Sequence, residues 1–296
     1  MARIFITGSS DGLGLSAARL LVEQGHGVVL HARNKQRADE TQAKLPAAQA
    51  VVVGDLTSIT QTRRVADQVN QLGIFNAIIH NAGIGYREPM RIVTDDGLSH
   101  LLAVNTVAPY ILTALITRPQ RLVYMSSILH QDGDPSLKDL VWADRPWSGR
   151  QAYCDTKLHD VLLAFAVARR WPGVLSNALE PGWVPTKMGG SDATDDLDQA
   201  HRTQVWLAVS DEPAATVSGG YFYHMNRKNP LPATLDVSLQ DRLLDFCSRV
   251  TGVDLPSGPS LFPPPRMLRR PRKQKETPTA PNPGDSWPPI RHPNQT

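Results

Sequence analysis

The sequence predicts an α/β protein, a single doubly wound parallel sheet with helices on both faces, over residues 1–255. Three features carry that expectation. Short apolar runs of strand length alternate with segments of helical period from Arg3 to Val250. The first run ends in a glycine-rich turn, Gly8-Ser9-Ser10-Asp11-Gly12-Leu13-Gly14, which leads directly into a helix. Small or polar residues follow the successive runs, Asp55, Asn81-Ala82-Gly83 and Ser126-Ser127 among them. A parallel sheet gathers such strand ends on one edge, where open α/β sheets bind their ligands.

Arg3 to Thr7 reads as the first strand, and Leu15, Ala18, Leu21 and Val22 then recur at helical spacing. Glycines in the turn between them permit positive φ and the close approach of a phosphate, and the helix start offers unpaired N–H groups to an anion. Their positions, 8, 12 and 14, differ from the G-x-G-x-x-G spacing of the commonest dinucleotide fingerprint. Gly27 to Ala32 is a second strand, ending on Arg33. An acid there would bond the 2′-hydroxyl of NAD, whereas a guanidinium suits a 2′-phosphate by charge and fork geometry, so NADP(H) is favoured over NAD(H). Lys35 to Leu45 is helical and Val51 to Val53 is a third strand. Asp55, at its end, either accepts a bond from an adenine amino group or caps the helix that starts near Ser58.

Asn76 to His80 forms a fourth strand that opens into Asn81-Ala82-Gly83. Leu98 to Ile116 is helical, with an interruption expected at Pro109 and Asn105 in its middle, where an amide competes with the backbone and calls for a kink or a water site. Arg121 to Met125 is the fifth strand. Ile128 to Gln151 is polar and aperiodic and holds Trp142 and Trp147; a connection of that length in a compact domain is a functional loop. Tyr153 and Lys157 then head an amphipathic helical run reaching Ala168. At i and i+4 they share one face, and a fixed ammonium beside a phenol favours the phenolate. Val174 to Leu179 is the sixth strand, closed by Pro181-Gly182, and Trp183 to Asp198, rich in Gly, Asp and Thr, suits a mobile flap. Thr203 to Val209 (helix), Gly220 to His224 (a seventh strand) and Leu239 to Val250 (helix) complete the domain.

Composition removes other classes. A 41% hydrophobic content in 296 residues is ample for a sizeable core. Two cysteines, Cys154 and Cys247, make neither a disulfide framework nor a metal cluster. No run approaches the ~20 apolar residues of a membrane span, and the N-terminus lacks the zones of a signal peptide, so a cytoplasmic protein is expected. The net charge of +3 divides unevenly: from Ser257 onward seven Lys/Arg face two acids, a net of +5, which leaves −2 for the folded body. That body gives no electrostatic reason to expect nucleic acid. Twelve of the 24 prolines lie from Pro256 onward, and residues 256–296 are predicted to be a disordered, Pro-rich basic tail. Within it, Pro263-Pro264-Pro265-Arg266 has the form of a polyproline ligand and Arg269 to Lys275 that of a patch for acidic lipid or nucleic acid, although a solvated extension without a partner is the plainer reading.

The ordered set TGSSDGLG (Thr7 to Gly14), Asp55, NAG (Asn81 to Gly83), Asn105, Ser126-Ser127, YCDTK (Tyr153 to Lys157) and PGWVPTKM (Pro181 to Met188) resembles the short-chain dehydrogenase/reductase superfamily, from Ala2 to about Leu255. The long interval before Tyr153 and the YxxTKL form look most like its retinol-dehydrogenase-like branch, which also contains chlorophyll-precursor reductases. The resemblance implies a Rossmann-type domain and a tetrad. In it Tyr153 exchanges a proton with the substrate oxygen and Ser127, with Ser126 as the fallback, holds that oxygen. Lys157 binds the nicotinamide ribose and lowers the phenol pKa, while Asn105 kinks its helix and positions a relay water. It also implies that Gly8, Ser10, Gly12, Leu13 and Gly14 cradle the cofactor, that Arg33, Asp55, Leu56, Asn81, Ala82 and Gly83 meet its adenosine side, and that Pro181, Gly182 and Thr186 line the nicotinamide end with Tyr153 and Lys157.

The expected activity is NADP(H)-dependent hydride transfer between the nicotinamide and a carbonyl or alcohol on a small to medium, apolar molecule. Two alternatives use the same scaffold: reduction of a carbon-carbon double bond, and a non-catalytic NADP-sensing protein. The second should lack a member of the tetrad, and all four are present. Ile84 to Met90, the loop after Ser127 and the flap are expected to wall the substrate pocket, with Trp142, Trp147, Trp183 and Met188 pointing to an apolar ligand. Homodimers or homotetramers formed through long helices are a further implication of the resemblance.

Overall fold

The computed structural model describes residues 1–257. An eight-stranded sheet is ordered β3-β2-β1-β4-β5-β6-β7-β8. Its strands are β1 (Arg3–Ile6), β2 (Gly27–Ala32), β3 (Ala50–Val53), β4 (Ala77–His80), β5 (Arg121–Met125), β6 (Leu175–Glu180), β7 (Tyr221–Tyr223) and β8 (Asn226–Lys228). The first seven run parallel, as their uninterrupted apolar character dictates for strands covered on both faces. The doubly wound parallel sheet expected from the sequence gains one antiparallel strand at its edge. β8 pairs antiparallel with β7 through a turn at His224 and Met225, both at positive φ, and its three residues are exposed and polar, so they carry no apolar signature.

Helices α1 (Gly12–Glu23), α2 (Lys35–Lys44) and α3 (Ile59–Gln71) link the first strands. The helix expected from Leu98 to Ile116 is broken, but not at Pro109. A short α4 (His100–Leu102) passes through a π turn at Ala103–Val107, centred on Asn105, into α5 (Ala108–Leu115). Pro109 lies in the first turn of α5, where a missing N–H costs nothing.

The long helix α6 (Gly149–Arg170) begins four residues before Tyr153, capped by the Ser148 hydroxyl on the Gln151 N–H. It is not amphipathic: every residue from Ala152 to Val167 is buried, because the sheet lies on one side and α9 (Val237–Thr251) on the other. Short helices α7 (Leu197–Ala200) and α8 (Arg202–Val209) follow the flap. One apolar layer joins α3, α5, α6 and α9 to the sheet and a second joins α1 and α8 to its opposite face. The domain closes where the Pro256 carbonyl accepts bonds from the Trp171 indole at 2.8 Å and from Arg118 at 3.0 Å. Beyond Ser257, the tail with its polyproline and basic segments lies outside the described residues.

Candidate active site

Strand order reverses between β1 and β4, and there a groove of about 1440 Å³ opens along the carboxyl edge. It is lined by Gly8, Ser10, Gly12, Leu13, Arg33, Asp55, Leu56, Asn81, Ala82, Gly83, Ser127, Tyr153, Lys157, Pro181, Gly182 and Thr186. Of the residues named from sequence, Gly14 and Asn105 stand behind the wall rather than in it.

The glycine turn is fixed from several sides. Gly8 has φ of +60°, and a Cβ there would lie 2.7 Å from the Ala82 Cα, so β1 and β4 can approach only because it is glycine. Gly14 packs likewise, since a Cβ would meet the Asn81 side chain at 2.5 Å and the Gly8 carbonyl at 2.6 Å. Gly12 differs: φ is +51° and no atom lies within 4 Å of where its Cβ would be, which leaves the backbone open to the groove at the start of α1. The Asn81 amide donates to the Thr7 and Gly8 carbonyls, both at 3.1 Å, and so ties the turn to β4. His31, which sequence reading passed over, completes the brace. Its Nδ1 accepts the Gly8 N–H at 3.1 Å and its Nε2 donates to the Gly54 carbonyl at 2.8 Å, a neutral tautomer consistent with a pKa lowered by burial.

At one end of the groove Arg33 is exposed and is joined there by Arg37, which also lies 3.7 Å from Asp11. Asp55 does not cap α3. Ser58 does so, while the Asp55 carboxylate accepts the Thr57 N–H at 3.0 Å and hydroxyl at 2.8 Å in a local turn.

The opposite end holds the tetrad. The serine pair divides by strand alternation: Ser126 points inward and donates to the Lys157 carbonyl at 2.8 Å, whereas the Ser127 hydroxyl turns into the groove and faces the Tyr153 phenol. A buried cluster beneath holds Ser127 in place. The Ser127 carbonyl accepts from His130 Nδ1 at 2.8 Å while Nε2 of the same ring accepts the Leu231 N–H at 3.0 Å. Glu180, at the end of β6, faces the Ile128 N–H and the Tyr221 hydroxyl, and burial pushes its carboxyl up to about 7.

Asn105 has its amide fully engaged. Its Oδ1 accepts the Ile84 N–H at 2.8 Å, and its Nδ2 donates to the Ile84 carbonyl and the Thr156 hydroxyl, both at 3.0 Å. The π turn thus places an amide that pins the segment after Gly83 onto α6.

Tyr153 is 6% exposed. Burial raises its pKa above the ordinary phenol value, with Lys157 and Ser127 pulling in the opposite direction. The downward pull of Lys157 expected from the sequence is present, and burial, which the sequence does not show, outweighs it. Lys157 is itself buried, its ammonium 5.6 Å from the Tyr153 ring centre, and it donates to the Met125 carbonyl at 2.7 Å and to Asp160 at 2.8 Å.

The flap is packed rather than loose. The Trp183 N–H bonds Asp195 at 2.6 Å, its indole bonds the Gly189 carbonyl at 3.1 Å, Arg87 reaches that same carbonyl at 3.3 Å, and Lys187 pairs with Asp11. Met188 lies against Gly85, its sulfur 3.9 Å from the Tyr153 hydroxyl. Trp142 and Trp147 do not wall the pocket. They meet edge to face, centroids 5.2 Å apart, in a cluster behind Tyr153, with Trp142 beneath Arg145 at 3.5 Å. From the long loop and the start of α6 only Ile128, Leu129 and Arg150 reach the groove, so most of that segment braces α6.

A doubly wound sheet whose switch-point groove brings a glycine turn and a Ser-Tyr-Lys cluster together defines a nucleotide-dependent oxidoreductase fold. Residues 2–134 match the family profile described as short chain dehydrogenase. The short-chain dehydrogenase chry4 of Gibberella zeae is 44% identical over 261 residues, covering 87% of this chain and all of the relative. Human retinol dehydrogenase 13 is 28% identical over 289 residues, covering 86% of each. Among solved structures, an uncharacterized protein from Mycobacterium paratuberculosis superposes with a TM-score of 0.74 at 26% identity, covering 86% of this chain and 95% of that one. The chain belongs to the short-chain dehydrogenase family and is an oxidoreductase of that family.

Proposed function

We propose that this oxidoreductase reduces a carbonyl group on a small to medium, apolar molecule with NADPH, Tyr153 giving the proton and Ser127 holding the oxygen. The observation that carries the reading is the convergence of the Ser127 hydroxyl and the Tyr153 phenol in one groove, with the Lys157 ammonium directly beneath. Gly12 and the start of α1 would hold the pyrophosphate, and Lys157, Pro181, Gly182 and Thr186 the nicotinamide end. The bound nicotinamide supplies the hydride that the protein cannot. Everything else falls to the chain: Ser127 donates to the substrate oxygen, Tyr153 transfers its proton to that oxygen, and Met188 with the Gly83–Gly85 segment excludes water.

Arg33 and Arg37 together support NADP(H) over NAD(H), since two guanidiniums offer a 2′-phosphate charge and forked donors. Ile84, Tyr86, Val104, Ile128, Leu129 and Met188 line the substrate end, and Ile128 and Trp183, 53% and 47% exposed, stand at its mouth, which favours an apolar substrate. Because α6 is covered within the single chain, an oligomer would use another face. Residues 1–255 act as the catalytic domain in this reading and the remainder as a tail.

The test is a screen of NADPH and NADH oxidation against aldehydes, ketones, quinones and conjugated alkenes. Turnover of a carbonyl with preference for NADPH supports the proposal. Activity confined to carbon-carbon double bonds, or none with NADPH bound, contradicts it.

A further inference from the structure

Asp160 is a carboxylate that the mechanism above does not use, buried one helical turn beyond Lys157. Its Oδ2 lies 2.8 Å from the Lys157 ammonium, the two side chains being 3% and 4% exposed. An ammonium has three N–H donors. Met125 and Asp160 take two, which leaves one for the groove. Two opposite charges so close in a buried setting cancel most of the field that either alone would exert on a neighbour.

We propose that Asp160 neutralises Lys157 within the core and thereby keeps Tyr153 a phenol at neutral pH, so that the site is set to donate a proton to a carbonyl rather than to accept one from an alcohol. The inference rests on the proposed role of Tyr153. In reduction, the hydride pair forms the new C–H bond, the carbonyl π pair moves to oxygen, and the phenol O–H breaks to protonate it. The phenolate left behind regains a proton from solvent. A phenol held in its protonated form is ready for that step, whereas oxidation needs the phenolate first.

The titratable groups that the Asp160 charge reaches are Lys157 and Tyr153 on α6 and Tyr124 on β5. Tyr124 is buried with its hydroxyl 2.8 Å from Thr113, and burial raises its pKa. His80 on β4 stacks beside Tyr124, and its pKa is lowered to about 3 by burial. Neither is charged at neutral pH, so the cation that answers Asp160 is Lys157. Burial pushes the Asp160 carboxyl up to about 6, with Lys157 pulling it down, so the pair is ionised from neutral pH upward. Asp160 is a positioning residue, acting on the substrate only through Lys157 and Tyr153.

The experiment is an ultraviolet difference titration of phenolate in the protein without cofactor, with Tyr153→Phe as the reference that isolates Tyr153. The parent midpoint should lie at or above about 10, and in Asp160→Asn it should fall by at least about one unit, because the ammonium is then unopposed. Asp160→Glu keeps the charge and should keep the parent midpoint. In the pH profile of alcohol oxidation the rising limb should move down by the same amount, a gain of about tenfold below it. Equal midpoints in folded parent and Asp160→Asn proteins would overturn the proposal. Should Asp160→Asn fail to fold, Asp160→Ser is titrated in its place and decides by the same shift: a fall of about one unit upholds the proposal and an unchanged midpoint overturns it. Absence of turnover on any carbonyl would count against the functional reading alone, since the titration needs no substrate.

Discussion

The two ends of the groove handle charge in opposite ways. At the Arg33 end Arg33, Arg37, Asp11 and Lys187 stand at the surface and the ion pairs of Asp11 with Arg37 and Lys187 are exposed or half-buried. At the Tyr153 end, Lys157 and Asp160 are buried and pair with each other, and Glu180 is buried at the end of β6. Solvent screens the first set, so its members have little effect on one another. Burial magnifies the second, so each charge there shifts the proton affinity of its neighbours. In the proposed reading, phosphate recognition by Arg33 and Arg37 and proton transfer by Tyr153 fall in different dielectric settings within one groove.

The contrast fails first, if it fails, at the serines. Ser127→Ala should lower kcat/KM by about 100-fold, the scale of losing one aimed donor, with only a small loss of melting temperature from the bond its hydroxyl accepts from the Leu129 N–H. Ser126→Ala should do the reverse, lowering the melting temperature through loss of the buried hydroxyl's bond to the Lys157 carbonyl while turnover stays near the parent's. Steady-state kinetics and thermal melts of the two proteins separate these outcomes.

A smaller effect should appear at Glu180. Its pKa in the fold is raised from 4.5 to about 7, burial being the main cause, so the folded state binds more protons than the unfolded chain in that window. Stability is therefore fully favoured below about pH 4.5 and falls as pH rises towards 7. Glu180→Gln should flatten that decline, which melting temperatures between these pH values would show. The smallest effect belongs to the exposed end: Arg33→Ala should weaken NADPH binding by about tenfold while leaving NADH unchanged, as direct titration would record. Equal losses for both cofactors would remove Arg33 from 2′-phosphate recognition and narrow the contrast.

The sheet, the order of its elements and the groove residues were legible because strand period, glycine turns and strand-end residues are local signals. Asp160 was also within reach, since Lys157 and Asp160 are three apart on one helix, but only burial gives that spacing its meaning. His31 and His130 carry no such spacing; their partners, Gly8 and Leu231, come from distant parts of the chain. Trp142 and Trp147 misled for the converse reason. Loop aromatics announce an apolar surface without saying whether it faces a ligand or the back of α6. The π turn at Asn105 was visible as a misfit amide, whereas Pro109, the stronger helix breaker in general, was harmless in a first turn.

The central claim is hydride transfer to a carbonyl carbon with proton delivery from Tyr153. The most direct test is to reduce a turned-over ketone or aldehyde with NADPH deuterated at the transferred C4 position and locate the label in the product by mass spectrometry and NMR, in parent and Tyr153→Phe proteins. One deuterium on the former carbonyl carbon in the parent, with product formation in Tyr153→Phe reduced at least about 100-fold while NADPH still binds, is the predicted result. Label at an alkene carbon, or an undiminished rate in Tyr153→Phe, would contradict it.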